Sequence, residues 1–106
     1  FYALKVTFCN EFFDIAQAHG ANYDVLREIW LADPRISRDH TLVYRNNRGY
    51  AGKCLPKDVS AILHSARANG CHPKLMETVV AVNQAMQALN RQHGAAKATA
   101  SRNSKT

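Results

Sequence analysis

The run Gly49-Tyr50-Ala51-Gly52-Lys53-Cys54-Leu55-Pro56-Lys57-Asp58 holds the residues best suited to chemistry in this chain. Its glycines allow a backbone to come close to a ligand. Cys54 falls at or just before the start of a helix, where the helix dipole and the neighbouring Lys53 and Lys57 favour a thiolate. A thiolate is a competent nucleophile for covalent catalysis. Asp58 stands one turn later, placed to orient a proton or a water. The competing reading is that Cys54 is a small buried hydrophobe, as most cysteines outside disulfides are.

Four helical segments must position that run. Phe1 to His19 carries two adjacent apolar stripes, Phe1, Leu4, Phe8, Phe12 and Ile15 beside Tyr2, Val6, Cys9, Phe13 and Ala16, which predict a wide apolar face. Gly20 ends this helix. Asn22 caps a second, from Tyr23 to Leu31, with Leu26, Ile29 and Trp30 inward, and Asp33-Pro34 stops it. Arg35 to Lys53 has no clean period and reads as a basic loop of about 20 residues, a length that marks a functional or disordered segment. A third helix is expected from Pro56 to Asn69 with Val59, Ile62, Leu63 and Ala66 inward. A fourth runs from Pro73 to about Gln92, with Leu75, Val79, Val82, Met86 and Leu89 as a coiled-coil-like seam. Gly94 is expected to end it. The reading is therefore an all-α domain over residues 1–93, then a disordered basic tail over 94–106.

Composition narrows the function classes. The 106 residues are 46% hydrophobic and 21% charged, ordinary globular usage for one small domain. That length cannot hold a doubly wound cofactor domain together with a substrate domain. The formal net charge is +6. Arg35, Arg38, Arg45, Arg48, Lys53 and Lys57 crowd the loop and its exit, offset there only by Asp39. Such a loop suits an anionic partner, a phosphate backbone or a small phosphorylated ligand, or else is simply solvated. Cys9, Cys54 and Cys71 make an odd set with no CxxC pair and no zinc spacing, so no metal site is expected. Reduced thiols suit the cytoplasm. No run approaches the length of a membrane span.

Gly-Tyr-Ala-Gly-Lys-Cys-Leu-Pro-Lys-Asp closely resembles the signature G-[FY]-G-G-x-C-[FL]-P-K-D of the UDP-glucose/GDP-mannose dehydrogenases. Other pieces follow in the family's order. Phe8-Cys9-Asn10-Glu11 is similar to F-x-N-E, Gly20-Ala21-Asn22 to G-A-D, Asp33-Pro34-Arg35-Ile36-Ser37 to D-P-R-I-G, and Val82-Asn83 to V-N. The likeness covers about residues 1–90 and only the family's central, all-helical dimerisation domain, of the kind found at the C-terminus of 6-phosphogluconate dehydrogenase. The resemblance implies an NAD-dependent oxidation of UDP-glucose to UDP-glucuronate. Cys54 would attack the aldehyde from a first oxidation, and a second would make a thioester that water hydrolyses. Asp58 would position that water. Arg35 would cross a homodimer interface to the neighbour's nucleotide-sugar, Gly49, Tyr50 and Ala51 would wrap the UDP-sugar, and Lys57 would lie near NAD.

The departures from the pattern are specific. Ala51 replaces a glycine, which would loosen a close contact or strain a left-handed backbone, and Ser37 replaces another. The loop is about three residues longer than in common relatives, by comparison with the spacing those motifs imply. The family's catalytic K-x-x-x-N motif and NAD-binding domain would lie upstream of Phe1, and its UDP-binding domain downstream, so the chain is expected to be a middle piece, inactive alone. GDP-mannose is the near alternative substrate. The UDP-N-acetylmannosamine branch, with V-G-G-H-C, fits less well. A different class, a non-catalytic helical dimerisation or nucleic-acid-binding module, is the second hypothesis, with nucleic acid the less favoured partner.

Overall fold

The computed structural model describes the backbone of residues 1–103 and the side chains of residues 1–94. Four helices follow one another: α1 (Tyr2–Ala18), α2 (Tyr23–Leu31), α3 (Cys54–Ala68) and α4 (Lys74–Asn103). Among the described residues there is no strand, only an isolated bridge between Tyr44 and Asn47. The domain is all-α, as the periodicity implies.

Local signals set most boundaries. Gly20 and Gly70 adopt φ of +67° and +76° and close α1 and α3, a backbone region open to glycine at little cost. Asn22 Oδ1 accepts from the N–H groups of Asp24 and Val25 at 2.8 and 3.3 Å, capping α2. Two boundaries differ from the sequence reading. α3 begins at Cys54, two residues before Pro56, because a helix's first turn donates no internal hydrogen bonds and so tolerates proline there. α4 continues through Gly94 to Asn103. One glycine costs a helix about 1 kcal/mol, and Ala95, Ala96 and Ala98 are strong helix formers. The expected tail thus starts as helical backbone, and its last residues, 104–106, lie outside those described.

The core has two parts. Ala3, Tyr50, Val59, Leu63 and Val79 join α1, the loop, α3 and α4. Cys9, Ala16 and Tyr23 join α1 to α2, flanked by Phe12, Phe13 and Trp30. The inward faces are rotated from those the apolar pattern gives. In α1 the buried residues are Ala3, Thr7, Cys9, Asn10 and Ala16, so Cys9 and Ala16 of the second stripe lie inside, while Phe8 and Ile15 of the first are about half exposed. In α4, Val79 and Met86 of the expected seam are buried, but Leu75 and Leu89 are 63% and 42% exposed. Asn83 takes their place inside. Ile29 and Ile62, expected inward on α2 and α3, also face out. Small and amide residues face inward because the loop's main chain passes between the helices and needs partners.

The loop is tethered at several points. Lys5 Nζ donates to the Ser37 carbonyl at 2.8 Å. Thr41, fully buried, has its carbonyl bonded by Tyr23 Oη at 2.6 Å and its hydroxyl bonded by Arg27 Nε at 2.7 Å. Burial, then its contact with Cys9, pushes the Tyr23 phenol well above its ordinary value of 10.0. A raised phenol favours the neutral form in the fold, so stability holds below pH 10.0 and falls above it, as Tyr23 ionises first in the unfolded chain. Burial raises Tyr50 in the same direction. Tyr23→Phe is expected to cost about 1–2 kcal/mol at neutral pH and to make the alkaline loss shallower. Urea midpoints followed from neutral to alkaline pH check this, and an unchanged slope contradicts it.

Candidate functional site

The site is built where the loop returns to the helices. Arg48, Gly49 and Tyr50 cross between α1 and α4, and the amide side chains of both helices take their main-chain groups. Asn83 Oδ1 accepts from the Tyr50 N–H at 2.8 Å, and its Nδ2 donates to the Tyr50 carbonyl at 2.9 Å. Asn90 repeats the pattern on Arg48, at 2.7 Å in both directions. Gln87 Nε2 donates to the carbonyls of Arg48 and Tyr50. From the opposite side, Asn10 Oδ1 accepts from the Gly49 N–H at 3.1 Å and from Arg48 Nε at 2.8 Å. Paired donor and acceptor contacts to alternate residues are how a β-ladder holds a strand. Here three side chains of one helix face supply them.

Gly49 is required within this clamp. Its φ is +78°, and a Cβ would overlap Asn83 Oδ1 and lie 3.3 Å from Met86 Cβ. Tyr50 then buries its ring beside Val59, Leu63 and Val79, so side chain and main chain anchor the same residue. Ala51, Gly52 and Lys53 emerge exposed. The strain anticipated at Ala51 does not arise. Among the described residues only His40, apart from glycines, has a positive φ. Gly52 carries the left-handed turn instead, at φ +96° with open space around it.

Cys54 is the first residue of α3 and is exposed, which excludes the buried-hydrophobe reading. Asp58 follows one turn later on the same face, also exposed, with its Oδ1 3.6 Å from Lys57 Nζ. The structure thus brings Gly49, Tyr50, Ala51, Cys54, Lys57 and Asp58 into one stretch of loop and helix. Arg35 stands apart, at the exit of α2. Its Nε and Nη2 donate to Asp33 at 3.0 and 2.8 Å, and its backbone N–H to the same carboxylate. That pairing holds the Asp33 carboxyl below its ordinary value. No hydrogen bond or ion pair among the described residues links Arg35 to the 49–58 segment.

The loop's positive charge is smaller in effect than its sequence implies. Arg48 is buried, bonded to Asn10 and paired with Asp14 at 3.0 Å, its guanidinium 4.7 Å over the Phe13 ring. Arg38 is paired with Glu28 at 2.7 Å and lowers that carboxyl. The cations still turned to solvent near Cys54 are Lys53 and Lys57. Arg45 is exposed as well, its guanidinium 5.7 Å over the Phe13 ring, so the solvent-facing charge is shared between that residue and the start of α3.

A groove of about 480 Å³ runs beside α3, lined by Leu55, Asp58, Ile62, Ala66, Cys71 and Met76 among others. Cys54 does not line it, and its mostly apolar wall is a poor match for a phosphorylated sugar. Among the described residues no group of three or more His, Cys, Asp or Glu could hold a metal ion, and no helix is long and apolar enough to cross a membrane.

Gln87 and Asn90 are not singled out in the sequence reading, and Asn83 enters it only through the V-N likeness, with no role. Their spacing of four and three puts three carboxamides on one helix face beside an apolar seam, and that is the signal that could have found them.

Comparison with known proteins identifies the family. Residues 1–85 match the model of the UDP-glucose/GDP-mannose dehydrogenase family, central domain. A UDP-glucose 6-dehydrogenase of Rhizobium meliloti is 42% identical over 84 residues, covering 78% of this chain and 18% of the relative. A UDP-glucose 6-dehydrogenase of Haloferax volcanii is 36% identical over 84 residues, 78% of this chain and 19% of that protein. A GDP-mannose 6-dehydrogenase of Azotobacter vinelandii is 32% identical over 84 residues, with 79% and 19% covered. The chain thus spans less than a fifth of the length of these relatives. With the match running from α1 into the first half of α4, this chain belongs to the UDP-glucose/GDP-mannose dehydrogenase family, as its central domain.

Proposed function

We propose that this chain is the nucleophile-bearing domain of an NAD-dependent dehydrogenase that oxidises UDP-glucose to UDP-glucuronate. The observation that carries the reading is Cys54, exposed at the first residue of α3 directly after a clamped loop. An exposed thiol on a fixed backbone is what attack on a substrate carbonyl needs.

The chemistry assigned to these residues is as follows. The primary alcohol of the sugar loses a hydride and a proton and becomes an aldehyde. Cys54 Sγ adds to the aldehyde carbon, forming a C–S bond while the carbonyl oxygen takes a proton. Loss of a second hydride and a proton turns this thiohemiacetal into a thioester. Asp58, one turn away, orients the water that cleaves the C–S bond, releasing the acid and restoring the thiol. NAD, when bound, supplies the acceptor for both hydrides. Among the described residues every regular element is a helix, with no strand–turn–helix nucleotide cradle, and Lys57 is the one side chain assigned near NAD. Gly49, Tyr50 and Ala51 shape the loop around the sugar nucleotide, and Arg35 reaches a neighbouring subunit's substrate by exchanging its Asp33 partner for phosphate.

In this reading the 106-residue chain reduces no NAD with UDP-glucose. The dehydrogenase that contains it yields two NADH per UDP-glucuronate formed, followed by absorbance and product mass. Turnover by the chain alone contradicts the reading, as does preference for GDP-mannose in the larger protein.

The protein that acts is a homodimer in the cytoplasm. Support for the dimer comes from Phe8 and Ile15, half exposed one above the other on α1. Light scattering is expected to give twice the monomer mass, and Phe8→Glu with Ile15→Glu to give the monomer. A monodisperse wild-type monomer contradicts this.

A further inference from the structure

We propose that Asn83 and Asn90 are positioning residues for the cysteine step: they set where Cys54 stands by holding the main chain of Arg48 and Tyr50. The inference rests on the reading of Cys54 as the nucleophile.

The geometry carries it in three parts. First, the contacts are reciprocal. Each asparagine satisfies both the N–H and the C=O of one residue, at 2.7–2.9 Å. A carboxamide can do this only in one orientation, so each pair fixes the rotation of a peptide as well as its place. Second, alternatives are closed off. Asn10 takes the Gly49 N–H from the other side, and the space a Gly49 side chain would need is already filled by Asn83. Residues 48–50 are held between two helices with every N–H bonded. Third, the path to the thiol is short. Three residues separate Tyr50 from Cys54, and Tyr50 shares one buried cluster with Val59 and Leu63 of α3, the helix that Cys54 begins. α3 has no side-chain cap at its start, and its N-cap residue, Lys53, makes no such bond. The orientation of its first turn is therefore inherited from the clamped segment.

Asn83 acts through Tyr50 and not on substrate. It belongs to the nucleophile's support, where a shift of about 1 Å can cost about a hundredfold in rate.

The test has two readouts. Asn83→Ala is made in the 106-residue chain, and amide hydrogen exchange is followed by mass spectrometry or NMR. Protection is expected to fall at Tyr50 and also, by about tenfold or more, at Asp58 and Val59, which close the first turn of α3. Cys9, buried on α1, is expected to stay protected from iodoacetamide. Faster exchange confined to residues 48–50 overturns the proposal, because the clamp then holds only itself. In the dehydrogenase that contains this chain, Asn83→Ala is expected to lower kcat about tenfold or more while KM for UDP-glucose moves less than about threefold. A fall in kcat/KM carried by KM alone overturns it. Asn90→Ala, which removes only the outer pair, is expected to show the same pattern more weakly and serves if Asn83→Ala does not fold. Unfolding of both variants overturns the proposal, since the amides then maintain the fold and not the thiol's place. Cys54→Ser separates the two ideas: full turnover in it defeats the nucleophile reading while leaving the exchange result to stand by itself.

Discussion

Cys54→Ser is expected to abolish acid formation from UDP-glucose, lowering turnover to UDP-glucuronate by at least about a thousandfold. The exchange replaces one atom on an exposed side chain, so packing is untouched and stability should move by less than about 0.5 kcal/mol. What changes is nucleophilicity. A serine hydroxyl at neutral pH needs an adjacent base, and no hydrogen bond among the described residues offers Cys54 one. The first oxidation does not need sulfur. Aldehyde that cannot be captured should therefore accumulate or return to alcohol, and NADH per acid formed loses its two-to-one ratio. Product mass with and without an aldehyde trap reads this out. Acid formation at the wild-type rate would remove Cys54 from the reaction.

Asn10→Ala should be the most damaging single change to the fold away from the thiol, at about 2–4 kcal/mol. It takes the acceptor from two buried donors together, Arg48 Nε and the Gly49 N–H. Arg48 keeps its Asp14 partner and the Asn10 carbonyl, so the charge is not stranded completely. A small domain has only about 5–15 kcal/mol to lose. Asn10→Asp retains an oxygen facing both donors and places a negative charge beside the guanidinium, so it should cost less than half as much. Urea denaturation at neutral pH distinguishes the pair; equal losses would mean that Asn10 matters for its shape and not for its oxygen.

The sequence was most informative where a residue's own chemistry decides its structure. Gly20 and Gly70 end helices because of their backbone freedom, and Asn22 caps α2 with its own side chain. The order of motifs around Cys54 places the thiol at a helix start, and the helix begins there. It was least informative where the partner is distant in the chain. Apolar spacing put Leu75 and Leu89 inside α4, yet the inner face belongs to Asn83 and its neighbours, because a loop some 33 residues away supplies hydrogen-bonding groups and not hydrocarbon. The same limit applied to charge. Arg48 looks like its basic neighbours in the sequence, and only the fold shows that α1 has buried and neutralised it. Arg35 is the opposite case. Its motif is plain, but its Asp33 pairing leaves it away from Cys54, and a role at the substrate depends on a second subunit.

Two tethers of the long loop, Thr41 near its middle and Arg48 to Tyr50 further on, bracket the stretch 42–47. Within it Val43 packs against the cluster of Cys9, Ala16 and Tyr23 and Arg45 lies over the Phe13 ring, while Tyr44, Asn46 and Asn47 stand exposed. Residues can be added at the exposed tip between Tyr44 and Asn47 at a closure cost that grows only slowly with length, and the bonds that hold Arg48 and Tyr50 come from α4 and are not part of that tip. Lineages of such a domain are thus at liberty to vary the tip, and with it whatever it touches, while the thiol downstream keeps its bearing.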